Sequence, residues 1–262
     1  MKKSKEKRGI KMGNDKYTLE VCVDSVESAM AAARGGADRL ELCSNLLIGG
    51  TTPTAALFRE IRKQSDIRIH VLIRPRFGDF CYSDYEFNII REEVKLFREL
   101  GAQGVVIGIL QPDGSLDMNK MKELMQEAGD MSVTLHRAFD VCRDPFEALE
   151  QAKELGIRTI LTSGQKNTCM EGMELLKQLA HKADGKLEIM AGSGVDAQVI
   201  SRFLKDTEIR AYHMSGKVVI ESSMLYRNTN VSMGLPVADE YVIWQTSQKK
   251  ISDARKILDS QL

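Results

Sequence analysis

Eight short apolar runs along the chain each end in polar or glycine residues: TLEVCVD (18–24), RLELCSN (39–45), IHVLIRPR (69–76), VVIGIL (105–110), VTLHRAFD (133–140), ILTSG (160–164), EIMAGSG (188–194) and IRAYHMSG (209–216). Between them lie segments of helical period at 26–34, 54–63, 84–100, 117–128, 144–155, 170–183 and 196–204, with a last one at 239–258. The clearest is 84–100, where Phe87, Ile90, Val94 and Phe97 form one stripe. Thr52-Pro53 and Asp144-Pro145 read as helix starts, with a capping side chain and a first-turn proline. Gly36-Ala37, Leu100-Gly101 and Leu155-Gly156 read as helix ends. Strand and helix thus alternate eight times, which predicts a parallel sheet with right-handed crossovers. The count and length fit a single (β/α)8 TIM barrel over 17–262. A dinucleotide-binding sheet is excluded, because the first strand–helix turn lacks the glycine fingerprint.

Strands buried on both faces should be almost continuously apolar, yet the first three runs alternate. Leu19, Val21 and Val23 are interleaved with Glu20, Cys22 and Asp24; Leu40 and Leu42 with Glu41 and Cys43; Ile69, Val71 and Ile73 with His70 and Arg74. The outer face must meet apolar helices, so the polar set is expected inside the barrel, near the C-terminal end where barrel enzymes place their chemistry. Glu20, Glu41, Arg74, His136, Arg137 and Asp140 are the candidates for proton transfer, and Arg74, Arg76 and Arg137 for holding an anion, with Asp79 in the loop after the third run. Glu20 and Glu41 on neighbouring strands are expected to push their acidities apart. A set of internal ion pairs, such as Glu41 against Arg74, is the structural alternative. His70, deeper in its strand than His136, reads as a satisfied core histidine. Runs six to eight end in small residues, and Ser163, Gly192, Ser193, Gly194, Ser215 and Gly216 can cradle a phosphate through exposed amides or merely permit tight turns.

Charge changes little in this picture: 37 basic and 37 acidic residues balance, which favours neither nucleic acid nor an anionic membrane as partner. No apolar stretch approaches the length of a membrane span, and no leader pattern is evident, so a cytoplasmic protein is expected. Residues 1–16 are basic and almost devoid of apolar residues, and are expected to be a disordered extension, with Met12 an alternative start. Five cysteines without paired spacing point to reduced thiols. All five fall toward the same face, with Cys22 and Cys43 closing adjacent strands; soft thiolates select Cu(I), and free thiols packed as small apolar groups are the alternative. Met118, Met121 and Met125 stand at helical spacing and read as core. The stretch 217–238 shows no period, and with Tyr241 and Trp244 it is a candidate interface.

The segments LEVCVDS, GGADRLELC, GGTTP, IRPR followed by GDF and YSD, HRAFD, LTSG and YRN, in this order, resemble the CutC family of copper homeostasis proteins. That resemblance runs from about Leu19 to the last helix. It implies a cytoplasmic (β/α)8 barrel that assembles as a homodimer or larger oligomer and binds Cu(I) through Cys22 and Cys43. It also carries over a polar set at Glu20, Glu41, Arg74, Arg76, Asp79, His136, Arg137 and Asp140. Phe77 departs from the family's usual glycine, and Met214 stands where a small or thiol residue is expected. Two functions follow: Cu(I) binding in copper homeostasis, or acid–base chemistry on a small anionic or phosphorylated metabolite. A ligand sensor without catalysis is a third possibility.

Overall fold

The computed structural model describes residues 17–228, 230, 231, 233 and 239–261; the basic extension expected at 1–16 lies outside them. Eight parallel strands close into a barrel in chain order. They are β1 (Thr18–Val23), β2 (Arg39–Leu42), β3 (Arg68–Leu72), β4 (Gly104–Ile107), β5 (Ser132–Leu135), β6 (Thr159–Thr162), β7 (Glu188–Ala191) and β8 (Ala211–Met214). The helices α1 (Val26–Gly35), α2 (Ala55–Gln64), α3 (Asp84–Glu99), α4 (Met118–Ala128), α5 (Pro145–Leu155), α6 (Met173–Ala183), α7 (Ala197–Asp206) and α8 (Gln248–Asp259) alternate with them. The expected (β/α)8 barrel is the fold.

Local chemistry explains the boundaries. Asp144 accepts from the Phe146 and Glu147 amides with Pro145 behind it, and α1 and α5 end on Gly36 and Gly156 in left-handed geometry. At α2 the cap is Thr54, whose hydroxyl accepts from Leu57 N–H, and not Thr52, whose hydroxyl instead takes the Arg74 amide and donates to Glu93. The last helix starts nine residues later than the pattern at 239–258 predicted. Ahead of it, β10 (Val242–Thr246) pairs antiparallel with β9 (Lys217–Glu221), the first part of the stretch read as aperiodic.

The apolar core is the shell between strands and helices. Leu19, Val21, Val23, Leu40, Leu42, Ile69 and Val71 pack there against Phe87, Ile90, Val94 and Phe97 of α3, and Met121 joins them from α4. Because that shell takes the odd positions of β1 and β3 and the even positions of β2, register turns the alternate residues inward. Glu20 lies level with Arg39 and with His213, and Cys22 with Glu41, which in turn is level with His70. Glycine makes room for the bulkier interior rings: a Cβ on Gly104 would stand 2.6 Å from the His70 ring, and one on Gly108 2.7 Å from the His136 ring.

Candidate functional site

The interior charges concentrate where β8, β1 and β2 meet. Glu20 is wholly buried; its Oε2 accepts from Arg39 Nε at 2.5 Å and its Oε1 meets His213 Nδ1 at 2.8 Å. Burial alone would raise the Glu20 carboxyl, but the Arg39 guanidinium and then His213 overcome it and hold the group well below the usual carboxylate range. Among the described residues Glu41 has no arginine at ion-pair distance, only His213 at 3.8 Å. Burial, with the Glu20 charge adding to it, pushes Glu41 up to about 7 against the pull of His213. Glu20 is thus the charged member of the pair and Glu41 the one that carries a proton near neutrality.

Burial opposes charge on His213 too, yet Cys22, Glu41 and Glu20 around it lift the imidazole well above its ordinary value. With Nδ1 on Glu20, His213 Nε2 faces Glu41 Oε2 at 3.8 Å. The Cys22 thiol completes this group, the ligand atoms of Cys22, Glu41 and His213 all lying within 4.8 Å of one another. A carboxylate that fixes a histidine by one ring nitrogen and leaves the other free is the usual support of a metal-ligating imidazole. Arg39 and His213 complete the cluster, and neither was assigned a role from sequence. Arg39 opens its strand and looks like a surface residue. His213 belongs by sequence to the polar residues at the strand ends, but its partners lie in β1 and β2, far away in the chain.

Above this cluster the barrel mouth opens into a cavity of about 670 Å³. Of the expected site residues, Cys22, Glu41, Arg74, His136, Arg137, Asp140, Ser193, Gly194 and Ser215 line it. The others do other things. Arg76 is held by Glu86, Asp79 and the carbonyls of Phe77, Asp79 and Cys81, so the Arg76–Asp79 pair braces its own loop and does not face the cavity. Gly192 packs on Leu161 and Gly216 on Ile251, where a Cβ would meet side-chain carbons at 2.5 and 2.6 Å. These two glycines serve close packing. Ser163 lies between Asp140 and the Lys166 carbonyl. Ser193, on the cavity wall, has left-handed backbone at φ 71° and donates its hydroxyl proton to the Asn167 carbonyl at 2.6 Å.

Among the lining residues, Asp140 accepts from Arg137, Thr162, the Ser163 amide and hydroxyl, and the Gln165 amide. So many donors make it a brace between β5 and β6. Arg74 does not pair with Glu41; its Nη1 donates to the Gly49 and Gly50 carbonyls and its Nη2 to Gly78. The imidazole of His136 is driven down to about 3, by burial first and by Arg74 second, so it is neutral at physiological pH. Burial and the Arg39 charge bring His70 to about 4, and its Nδ1 has no hydrogen-bond partner. A satisfied core histidine was expected there.

All five cysteines are free. Cys43 lies outside the Cys22 group: its thiol donates to the Val23 carbonyl at 3.5 Å, its surroundings are Leu72 and Val106, and burial pushes it well above the ordinary thiol value. Cys142 and Cys169 are buried loop thiols, both pushed up to about 11 by burial.

Comparison with known proteins agrees with this fold and identifies the family. The CutC family model matches residues 17–218. A family protein CutC from Bacteroides thetaiotaomicron is 45% identical over 250 residues, covering 94% of this chain and 97% of that protein. One from Bacteroides fragilis strain YCH46 is 46% identical over 250 residues, covering 94% and 99%. The crystal structure of Streptococcus agalactiae CutC, a protein named for copper homeostasis, superposes with a TM-score of 0.72 at 30% identity, covering 76% of this chain and 98% of that one.

Proposed function

The chain belongs to the CutC family, and from that membership we propose that it serves copper homeostasis by binding Cu(I) at the barrel mouth, with Cys22 and His213 as the ligands. The observation that carries this reading is the Cys22–Glu41–His213 group with His213 Nδ1 anchored on Glu20. A thiolate and an imidazole suit a soft ion of low coordination number. With Nδ1 on Glu20, Nε2 is the nitrogen that would bind the ion once it gives up the proton that its surroundings favour, and Glu41 stands beside it to take part in that proton transfer. Cys43, which the resemblance named as second ligand, is engaged with a carbonyl in an apolar pocket. The reading extends to a reducing, cytoplasmic setting, supported by five unpaired thiols. It extends also to a homo-oligomer, supported by the apolar side chains that β9 and β10 expose, Ile220, Ile243 and Trp244 among them.

Anaerobic Cu(I) titration against a competing chelator tests the ligand pair. Cys22→Ser and His213→Asn should each weaken binding at least tenfold, about 1.4 kcal/mol, while Cys43→Ser changes it by less than about twofold. If Cys43→Ser costs as much as Cys22→Ser, the second ligand is sulfur and the pair proposed is wrong.

A further inference from the structure

The cavity is far larger than one metal ion requires, and its opposite wall has a chemistry of its own. Arg74 is 8% exposed, and among the described residues it meets no carboxylate. The other arginines nearby are all neutralised: Arg39 by Glu20, Arg76 by Glu86 and Asp79, Arg137 by Asp140. Three carbonyls accept from Arg74 Nη1 and Nη2, its fully buried Nε–H makes no hydrogen bond, and the polar group beside the guanidinium is the buried Tyr82 hydroxyl, which is neutral and supplies no counter-charge. Beside it, His136 is 4% exposed; its Nδ1 accepts the Ala138 amide at 3.2 Å, which puts the proton of the neutral ring on Nε2, and Nε2 also has no partner. Phe80 joins the two, its ring 5.0 Å from the Arg74 guanidinium carbon and 4.8 Å from the His136 ring centre. Native interiors seldom leave buried donors unpaired. Both orphans here are donors, one of them on a buried cation without a counterion.

We propose that Arg74 and His136 form an anion-binding subsite that takes the carboxylate or phosphate head of a small organic molecule, whose body fills the cavity toward Cys22 and His213. An anion supplies the two acceptors that these N–H groups lack and the charge that Arg74 lacks. The rest of the molecule meets Leu46, Leu72, Leu161 and Val195. A cavity of this volume is of the size that holds a drug-sized organic ligand. The subsite does not rest on the copper reading, since none of its residues belongs to the Cys22 group.

Metal-free protein is titrated with succinate in one arm and inorganic phosphate in the other, at low ionic strength, by calorimetry and by following the Arg74 Nε–H resonance. At least one anion should bind saturably and move that resonance, Arg74→Lys should weaken it at least tenfold, and His136→Ala severalfold. The arm that binds identifies the head group. Binding no better than chloride at matched ionic strength, or an Arg74 resonance that stays in place, overturns the subsite. The resonance is read on unaltered protein, so poor folding of Arg74→Lys does not blunt the test. The Cu(I) titration is separate, so either idea can fail alone.

Discussion

At the scale of residues, the barrel interior sorts four titratable groups into two kinds. Glu20 is held in charged form by Arg39 and then by His213, and His213 by Cys22, Glu41 and Glu20, whereas His70 and His136 are kept neutral by burial. The neutral histidines have a measurable consequence. An imidazole whose folded value lies near 3 and whose unfolded value is about 6.5 binds its proton more readily when the chain is unfolded. Stability from that group is therefore present above pH 6.5 and is lost as pH falls toward 3. Denaturant unfolding of the parent and of His136→Gln between pH 6 and 4 should show the parent losing up to about 1.4 kcal/mol per pH unit more than the variant. Parallel curves would show that the ring is not buried neutral. Much of this scale was legible in the chain. Period two placed Glu20, Cys22, Glu41 and His70 on the inner face, and adjacency of β1 and β2 implied that the two carboxyls would differ. Which carboxyl stays charged was not legible, because Arg39 and His213 decide it, and His213 is 193 residues from Glu20.

Among the elements, the strands and most helices followed from pattern because each has one face that must be apolar. The hairpin of β9 and β10 escaped for the opposite reason. Val219, Ile220, Ile243 and Trp244 are all substantially exposed, so no buried face imposes an alternation on it. Arg76 and Asp79 looked like site residues because they are charged and follow a strand end. Only the loop conformation, with Glu86 in the first turn of α3 as partner, shows that they are internally paired. Glycines tell a related story, since the same residue type serves turns, helix ends and close approach. Gly104 belongs to the last kind. Gly104→Ala sets a methyl against a buried, tightly packed His70 ring and should cost about 1–3 kcal/mol in denaturant unfolding. Adding His70→Ser should restore part of the loss, as expected for residues in contact. If Gly104→Ala alone leaves stability unchanged, β4 does not press on His70 as described.

For the molecule as a whole, the described strands fall into the eight-stranded barrel and one hairpin, which stands outside the barrel and pairs Ile243 with Ile220. Among the described residues no helix is long and apolar enough to cross a membrane. If the exposed hairpin is the contact between copies, Ile220→Glu with Ile243→Glu should lower the mass measured by sedimentation without altering the barrel's circular dichroism. A parent that sediments as a monomer, or a double variant that keeps the parent's mass, counts against that assembly. The barrel closes where β1 pairs with β8, and the Glu20–His213 contact lies on that closure. Loop closure over such a span is among the slowest events in making a fold. A growing chain therefore carries Cys22 and Glu41 from early in synthesis but cannot assemble their group until β8 has left the ribosome and docked. Any ion or molecule that needs all three side chains selects finished barrels from nascent ones.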